Sequence, residues 1–179
     1  MFRHLFILVF FSILTTVDLM GQNIIRWNTW EETIDKAQKN KKMIIVDVYT
    51  DWCGWCKRME KMTFSENHIA KYINDHFYAV KFNAEMKDPI VLKGKEYRYV
   101  KNGKRGYHEL ALALLQGRLS YPSIVFMDEN FNVIQAIPGF QSSEDFEKMI
   151  AYFATNSHKT TPWNRFESAY NRATYFTQE

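Results

Sequence analysis

The chain has 179 residues, of which 46% are hydrophobic and 24% charged, a composition typical of one ordinary globular domain. This composition excludes a collagen-like chain and a largely disordered one. The net charge is only +3, so we expect no nucleic-acid partner, because phosphate binding needs a concentrated basic face. The two cysteines, Cys53 and Cys56, are too few for a disulfide-stapled mini-domain or a four-cysteine zinc site.

The first 21 residues have the pattern of a secretory signal peptide. Arg3 and His4 form a short basic start, and the apolar run over 5–14 is too short to cross a bilayer core of about 30 Å. We expect cleavage after Gly21; the alternative is an uncleaved anchor. Export would place both cysteines in an oxidising compartment in which a disulfide persists, and we expect that compartment to be the periplasm.

The hydrophobic pattern of residues 22–156 predicts strands that alternate with helices. Strands are predicted at 24–27, 43–49, 77–83, 123–128 and 132–137, and helices at 29–40, 53–62, 65–76, 107–116 and from 142 onward. The predicted N-caps are Asn28 (with Glu31 in a capping box), Ser65 and Ser142, and Gly117 is a predicted helix stop. The predicted fold class is therefore α/β, with a central sheet covered by helices on both faces. Residues 157–179 form a C-terminal tail with one short helix at about 163–172.

The segment between the third strand and the fourth helix is less regular. Strand character at 91–100, followed by the turn signal Lys101-Asn102-Gly103-Lys104, predicts a β-hairpin. The basic residues of this region are Lys93, Lys95, Arg98, Lys101, Lys104 and Arg105. The pattern agrees with two roles, a partner-binding surface or a solvated hairpin that only decorates the fold.

The chemistry of the chain is concentrated at the Cys-x-x-Cys motif, which follows a buried strand and opens a helix. The spacing lets the two sulfurs form a bond, and the free N–H groups of a helix N-terminus stabilise a thiolate. A lowered pKa would make Cys53 the nucleophile and Cys56, one turn later, the resolving thiol. Trp52 and Trp55 flank the sulfurs with flat apolar surface suited to docking an extended peptide. We expect Trp55 to be exposed, whereas Trp52 is equally compatible with core packing.

Three other interpretations of the motif are half of a zinc site, a structural disulfide and chance. A zinc site needs two further ligands, and the histidines are scattered at His68, His76, His108 and His158, where we expect surface or helix-end positions and no metal. A structural disulfide across so short a loop would stabilise the fold little. Redox chemistry is therefore the favoured interpretation.

The segment 46–57, with its core Trp-Cys-Gly-Trp-Cys-Lys, resembles the active-site strand and helix of the thioredoxin superfamily. The resemblance covers about residues 24–153 and extends to the subtype of secreted bacterial thioredoxin-like proteins. It implies a thioredoxin fold, with a central mixed sheet flanked by helices and an insert at about 85–105 before the cis-proline strand. Trp55 stands where the family often has proline, a position that helps to set the reduction potential.

The resemblance also implies roles for individual residues. Asp47 matches the buried acid that moves protons off the resolving cysteine, and Lys81 matches the lysine that tunes this acid. Burial among apolar neighbours should raise the pKa of Asp47; the alternative is that it reaches water at the end of its strand. Tyr121-Pro122-Ser123 resembles the cis-proline loop. The residues expected at the substrate are Trp52, Gly54, Trp55, Tyr121, Pro122 and Gly139.

These features predict an exported thiol–disulfide oxidoreductase that works without a cofactor. Cys53 would exchange disulfides with thiol- or disulfide-containing proteins through a mixed disulfide that Cys56 resolves. The pair Asp47 and Lys81, and the absence of histidine between the cysteines, favour a reductase or electron relay. We expect a monomer that is recharged by a membrane-bound or exported donor. The alternatives are a redox-inert module that holds peptides in the Pro122 groove and a protein that handles a soft metal such as Cu(I).

Overall fold

A five-stranded mixed sheet forms the centre of the protein, of which the computed structural model describes residues 24–176. The predicted signal peptide lies outside the described residues. In chain order the strands are β1 (Trp27–Asn28), β2 (Met43–Tyr49), β3 (Phe77–Asn83), β4 (Ile90–Leu92), β5 (Lys95–Tyr97), β6 (Tyr99–Asn102), β7 (Arg105–His108), β8 (Ser123–Met127) and β9 (Val133–Pro138). The α-helices are α1 (Trp30–Lys39), α2 (Gly54–Met59), α3 (Asn67–His76), α4 (Glu109–Leu114), α5 (Ser143–Ala154), α6 (Trp163–Ala169) and α7 (Arg172–Tyr175).

The strand order in the central sheet is β1-β3-β2-β8-β9. The first three of these strands run parallel, whereas β8 and β9 are antiparallel to their neighbours. Strand β2 lies in the middle because its near-continuous apolar run suits a strand buried on both faces. In this register Asp47 lies opposite Lys81 on β3 and Ile124 on β8.

Helices cover both faces of the sheet, as the alternation in the sequence predicts. On one face α2, α3 and α5 bury an apolar core whose central members include Met59, Ile73 and Phe146. On the other face α1 and α4 bury a second core around Trp30 and Leu110. The sheet is thus held between two layers of helices. The loops that follow the parallel neighbours β2 and β3 leave the sheet at the same edge.

The segment between β3 and α4 differs from the single predicted hairpin. It contains two hairpins, β4–β5 and β6–β7. Most of the residues over 91–100 do lie in strands, but they form parts of β4, β5 and β6 rather than one strand, because Lys93 and Gly94 turn the chain with positive φ angles of 53° and 76°. The turn predicted at 101–104 is present, with Gly103 at a φ of +61°. The fold thus has an insert before the cis-proline strand, but a more folded one than the sequence indicated.

Several predicted element boundaries are corrected by side chains that bond elsewhere. Helix α1 is capped by Thr29 and Glu32, not by Asn28 and Glu31, because the Asn28 amide donates to the carbonyl of Ala79. Strand β1 begins only at Trp27, since the backbone before it bonds to the Asn74 side chain.

Of three further predicted helix starts, two are shifted and one is confirmed. Ser65 does not cap α3, because its hydroxyl donates to the Lys61 carbonyl and closes a π-helical turn, Glu60–Phe64, that follows α2. Helix α4 begins two residues later than predicted, since its N-cap, His108, still belongs to β7. Ser142 caps α5 as predicted, and the N–H of Gly117 donates to the Leu112 carbonyl just past α4.

Residues 157–176 of the C-terminal tail pack onto the domain. Helix α6 lies where the sequence indicates one short helix, and α7 follows it. Phe166 and Phe176 from the tail join the core formed by α3 and α5. Within residues 24–176, no helix is both long enough and apolar enough to span a membrane.

Candidate active site

Cys53 and Cys56 are joined in a disulfide at the start of α2. Cys53 is the N-cap of the helix, and the backbone N–H of Cys56 donates to its Sγ at 3.0 Å. Only 5% of Cys53 and 8% of Cys56 are exposed, so both cysteines are largely buried. In the reduced state this geometry favours a thiolate on Cys53, because a helix N-terminus and its N–H groups stabilise negative charge.

The turn that leads from β2 into α2 holds the motif in place. The N–H of Cys53 donates to the Thr50 carbonyl at 3.1 Å. The Asn83 amide at the end of β3 donates to the Asp51 carboxylate at 3.0 Å, which ties the turn to the neighbouring strand. The disulfide is therefore anchored to the carboxyl edge of the two central parallel strands.

The loop before β8 reaches the same edge of the sheet. The Tyr121–Pro122 peptide bond is cis, as the resemblance implies. The Pro122 carbonyl accepts a hydrogen bond from the N–H of Gly139, whose φ of +90° favours glycine. The Tyr121 ring packs edge-on against Trp52 with the ring centroids 6.0 Å apart. This contact brings the predicted proline loop beside the residue that precedes Cys53.

Two tryptophans flank the disulfide, and both are exposed, Trp52 by 50% and Trp55 by 56%. The exposure predicted for Trp55 is confirmed, and Trp52, for which core packing was equally compatible, also faces solvent. Phe140, just past β9, packs against Trp55 at 5.7 Å between ring centroids. Gly54 lies between Cys53 and Trp55 at the start of α2, and the space that a Cβ atom would occupy there is open. The motif thus has an aromatic surface on each side.

Asp47 is buried beneath the motif, with 3% of its surface exposed. Its Oδ1 atom is buried and has no hydrogen-bond partner among the described residues. Burial raises the pKa of Asp47 to about 7, an effect that the charge of Lys81 opposes and that of Glu60 reinforces. The alternative, that Asp47 reaches water at the end of its strand, is therefore wrong, because its side chain is almost fully buried.

A cavity of about 230 Å³ joins Asp47 to the resolving cysteine. Its lining includes Asp47, Thr50, Cys56, Lys57, Glu60 and Lys81. A cavity of this size with polar walls has room for water that could relay a proton. The arrangement can move a proton between Cys56 and a carboxyl group whose pKa lies near neutrality.

Lys81 lies beside this cavity, but its ammonium pairs with the Glu60 carboxylate. The sequence interpretation assigned Lys81 to Asp47 and missed Glu60. The signal was present, because Glu60 is four residues after Cys56 and a helix places such residues on one face. The acid, the lysine and Glu60 therefore form one charged cluster rather than an isolated pair.

Arginines contact both exposed tryptophans, which the sequence did not reveal. The Arg105 guanidinium, from the first residue of β7, lies over the Trp52 ring at 4.3 Å from its centroid. The Arg58 guanidinium lies over the Trp55 ring at 5.2 Å. No sequence pattern places Arg105 at the motif, because the contact joins residues far apart in the chain.

The described part of the chain has no group of three or more His, Cys, Asp or Glu side chains that could hold a metal ion. His76 ends α3, and His108 caps α4 in a fully buried position. The Nε2 atom of His68, on α3, lies 3.2 Å from a carboxylate oxygen of Glu147 on α5.

Comparison with known proteins places this site in a family. The sequence profile of the thioredoxin-like domain family matches residues 30–154, more than half of the chain. The thiol:disulfide interchange protein DsbD of Colwellia psychrerythraea is 27% identical over 118 residues, which are 65% of this chain and 16% of DsbD. An uncharacterized protein of Caenorhabditis elegans, B0495.5, is 38% identical over 71 residues, which are 39% of this chain and 10% of that protein.

The chain thus matches only a small part of the length of these curated relatives. Among solved structures, the DsbH oxidoreductase superposes with a TM-score of 0.55 at 14% identity, over 80% of this chain and 92% of the other. A likeness at this identity is a likeness of fold. With its mixed sheet, its motif at the start of α2 and its matching family profile, the chain belongs to the thioredoxin-like domain family and has the thioredoxin fold.

Proposed function

We propose that the protein is an exported thiol–disulfide oxidoreductase that acts on protein substrates as a reductase or electron relay. The observation that carries the proposal is the placement of Asp47, buried with a pKa near neutrality, in one cavity with Cys56 beneath a disulfide at a helix N-terminus. A structural disulfide or an inert peptide-binding module has no need of a buried acid at the second cysteine.

In the reducing direction, the Cys53 thiolate attacks one sulfur of a substrate disulfide. A mixed disulfide forms, and the other substrate sulfur leaves as a thiolate. Cys56 then loses its proton to the Asp47 carboxylate, and its thiolate attacks the Cys53 sulfur. The substrate gains two electrons, and its two thiolates take up one proton from Asp47 and one from solvent, so it leaves as a dithiol while the protein is left with the Cys53–Cys56 disulfide. Oxidation of a substrate is the same sequence in reverse.

The remaining residues of the site have proposed roles in substrate binding. The exposed rings of Trp52 and Trp55 offer apolar surface on either side of the sulfurs. Gly54, Tyr121, Pro122 and Gly139 would line the path of an extended peptide, as the resemblance implies. Lys81 would tune Asp47 as part of the cluster that includes Glu60.

The reducing direction is supported by the charged cluster around Asp47 and by the absence of histidine between the cysteines. Thiol–disulfide exchange in general is supported by the similarity to the thiol:disulfide interchange protein DsbD, and the DsbH oxidoreductase shares the fold. Export to the periplasm is supported by the signal-peptide pattern of residues 1–21. A protein in that compartment would need a membrane-bound or exported electron donor, and we propose that it works as a monomer without a cofactor.

The proposal is tested by reduction of insulin disulfides with dithiothreitol as the electron source. The wild-type protein should accelerate the reaction, and the Cys53→Ser variant should match the background rate. A wild-type rate equal to the background would favour the inert binding module.

A further inference from the structure

The hairpin β6–β7 reaches the active site from the insert. Arg105, at the start of β7, covers one face of Trp52, the residue next to Cys53. Stacking occupies the face of the guanidinium and leaves its N–H groups, which lie in the plane, available to bind a carboxylate. Arg105 is itself exposed, and it forms no ion pair with a carboxylate within residues 24–176.

The charge of this hairpin is unbalanced. Over 99–108 it carries Lys101, Lys104 and Arg105 and no acidic residue. These three side chains are exposed at its tip. On the other side of the disulfide, Arg58 covers Trp55, so each exposed tryptophan carries a guanidinium. The surface beside the sulfurs therefore presents two exposed aromatic rings, each with a guanidinium over it, and the nearby Asp51 carboxylate already accepts a hydrogen bond from the Asn83 amide.

The hairpin is held firmly against the domain. At its base, the N–H of His108 donates to the Ala84 carbonyl at 2.7 Å, and the N–H of Glu109 donates to the Arg98 carbonyl at 2.9 Å. Within it, the Tyr99 side chain occupies the space that a Cβ on Gly106 would need. The hydrogen bonds at the base and the packing of Tyr99 on Gly106 therefore hold the hairpin in a fixed position relative to the active site.

We propose that the β6–β7 hairpin selects protein substrates that carry acidic residues beside the reactive cysteine. Charge complementarity identifies the partner, because an extended segment docked across Trp52 would place carboxylates within reach of Arg105 and the two lysines. This inference rests on the proposed function and names the substrate class of that same site. The predicted alternative for the insert, a decorative hairpin, would show no such preference.

The experiment uses two synthetic peptides, each closed by one disulfide, that differ only in having glutamates or glutamines beside the cysteines. The prereduced protein reduces each peptide, and tryptophan fluorescence gives the second-order rate constants. The wild type should prefer the glutamate peptide about fivefold at low salt, and high salt should remove most of that preference.

Variants assign the preference to the hairpin. Arg105→Gln should lower the ratio of the two rates about threefold, and Arg105→Lys should retain most of it. The matched control is Lys41→Gln, which removes a charge from an exposed residue before β2, at the opposite end of that strand from the motif, and should leave the ratio unchanged. Equal rates for the two peptides, or equal slowing of both by Arg105→Gln, would overturn the inference alone. Failure of the wild type to reduce either peptide would overturn the proposed function as well.

Discussion

Asp47 and Lys81 are direct partners in the parallel pairing of β2 with β3, yet their charges are not joined in an ion pair. The Lys81 ammonium pairs with Glu60, and Oδ1 of Asp47 stays buried without a hydrogen-bond partner in the described structure. A buried carboxyl group that is not held in an ion pair is costly to ionise. The proton affinity of Asp47, and with it the proposed proton transfer from Cys56, is therefore set mainly by burial.

Asp47→Asn should stabilise the protein at alkaline pH. Because the folded-state pKa of about 7 lies above the unfolded value of 3.8, the wild type loses stability as pH rises between these values. The full shift corresponds to about 4 kcal/mol, which is an upper limit for the gain above pH 7. Chemical denaturation of the oxidised wild type and variant from about pH 4 to 8 measures the difference in their free energies of unfolding. The control is Asp35→Asn, a substitution at an exposed position. A difference that does not grow with pH would contradict the buried ionisation.

Glu60→Gln and Lys81→Met should move the pH dependence of the resolving step in opposite directions. The charge of Glu60 raises the pKa of Asp47 and that of Lys81 lowers it. Removal of the Glu60 charge should shift the midpoint to lower pH, and removal of the Lys81 charge should shift it to higher pH. Stopped-flow tryptophan fluorescence of mixed-disulfide resolution provides the profiles. Identical midpoints in both variants would show that another group controls this step.

Of the two single-cysteine variants, only the one that keeps Cys53 should trap mixed disulfides. Cys56→Ser should accumulate mixed disulfides with partner proteins, because the attacking Cys53 sulfur remains and the resolving thiol is gone. Cys53→Ser should not accumulate them. Non-reducing gels of affinity-purified variants report the complexes, and alkylation of Cys56→Ser against pH reports whether the Cys53 thiol is more acidic than a free cysteine. Trapping by Cys53→Ser instead would reverse the assigned roles.

The parts of the fold that were predictable have strong local patterns. The apolar run of β2 and the Cys-x-x-Cys motif after it can be identified from the sequence alone, and Asp47 is the single acidic residue in that run. The hairpins were less predictable, because their strands are short and polar, so no alternation of apolar residues marks them.

Contacts between distant segments set the limit on what the sequence predicts at the site. Arg105 lies 53 positions from Trp52 in the chain, and only the folded hairpin brings them together. Lys81 has a carboxylate partner other than the expected one because Glu60 projects from the π-helical turn after α2. For His108 the sequence predicts a surface or helix-end position; the residue does lie at a helix end, as the N-cap of α4, but its ring is fully buried.

His108→Asn should weaken the pH dependence of stability on the acid side. The Nδ1 atom of His108 accepts the N–H of Leu110, and Nε2 lies 3.2 Å from the Asp88 carbonyl, an arrangement that suits a neutral ring protonated at Nε2. Burial lowers the pKa of His108 below its ordinary value of 6.5. Its contribution to stability is therefore complete above about pH 6.5 and is lost as pH falls.

Asparagine can retain the cap through its side-chain oxygen but loses the contact with the Asp88 carbonyl. The His108→Asn variant should therefore be less stable by about 1–2 kcal/mol at pH 7.5. Denaturation midpoints measured from pH 7.5 down to 5 compare the two proteins. An equally steep acid-side decline in wild type and variant would contradict a buried, neutral His108.

The most direct test of the proposed redox chemistry is equilibration of the protein with glutathione buffers of graded potential, followed by tryptophan fluorescence. We expect one reversible two-electron transition, with a tenfold change in the ratio of oxidised to reduced protein for about every 30 mV. For a reductase, its midpoint should lie nearer to the value of about −270 mV for thioredoxin than to about −120 mV for the periplasmic oxidant. A Cys53–Cys56 disulfide that shows no reversible transition would contradict the proposed dithiol–disulfide exchange.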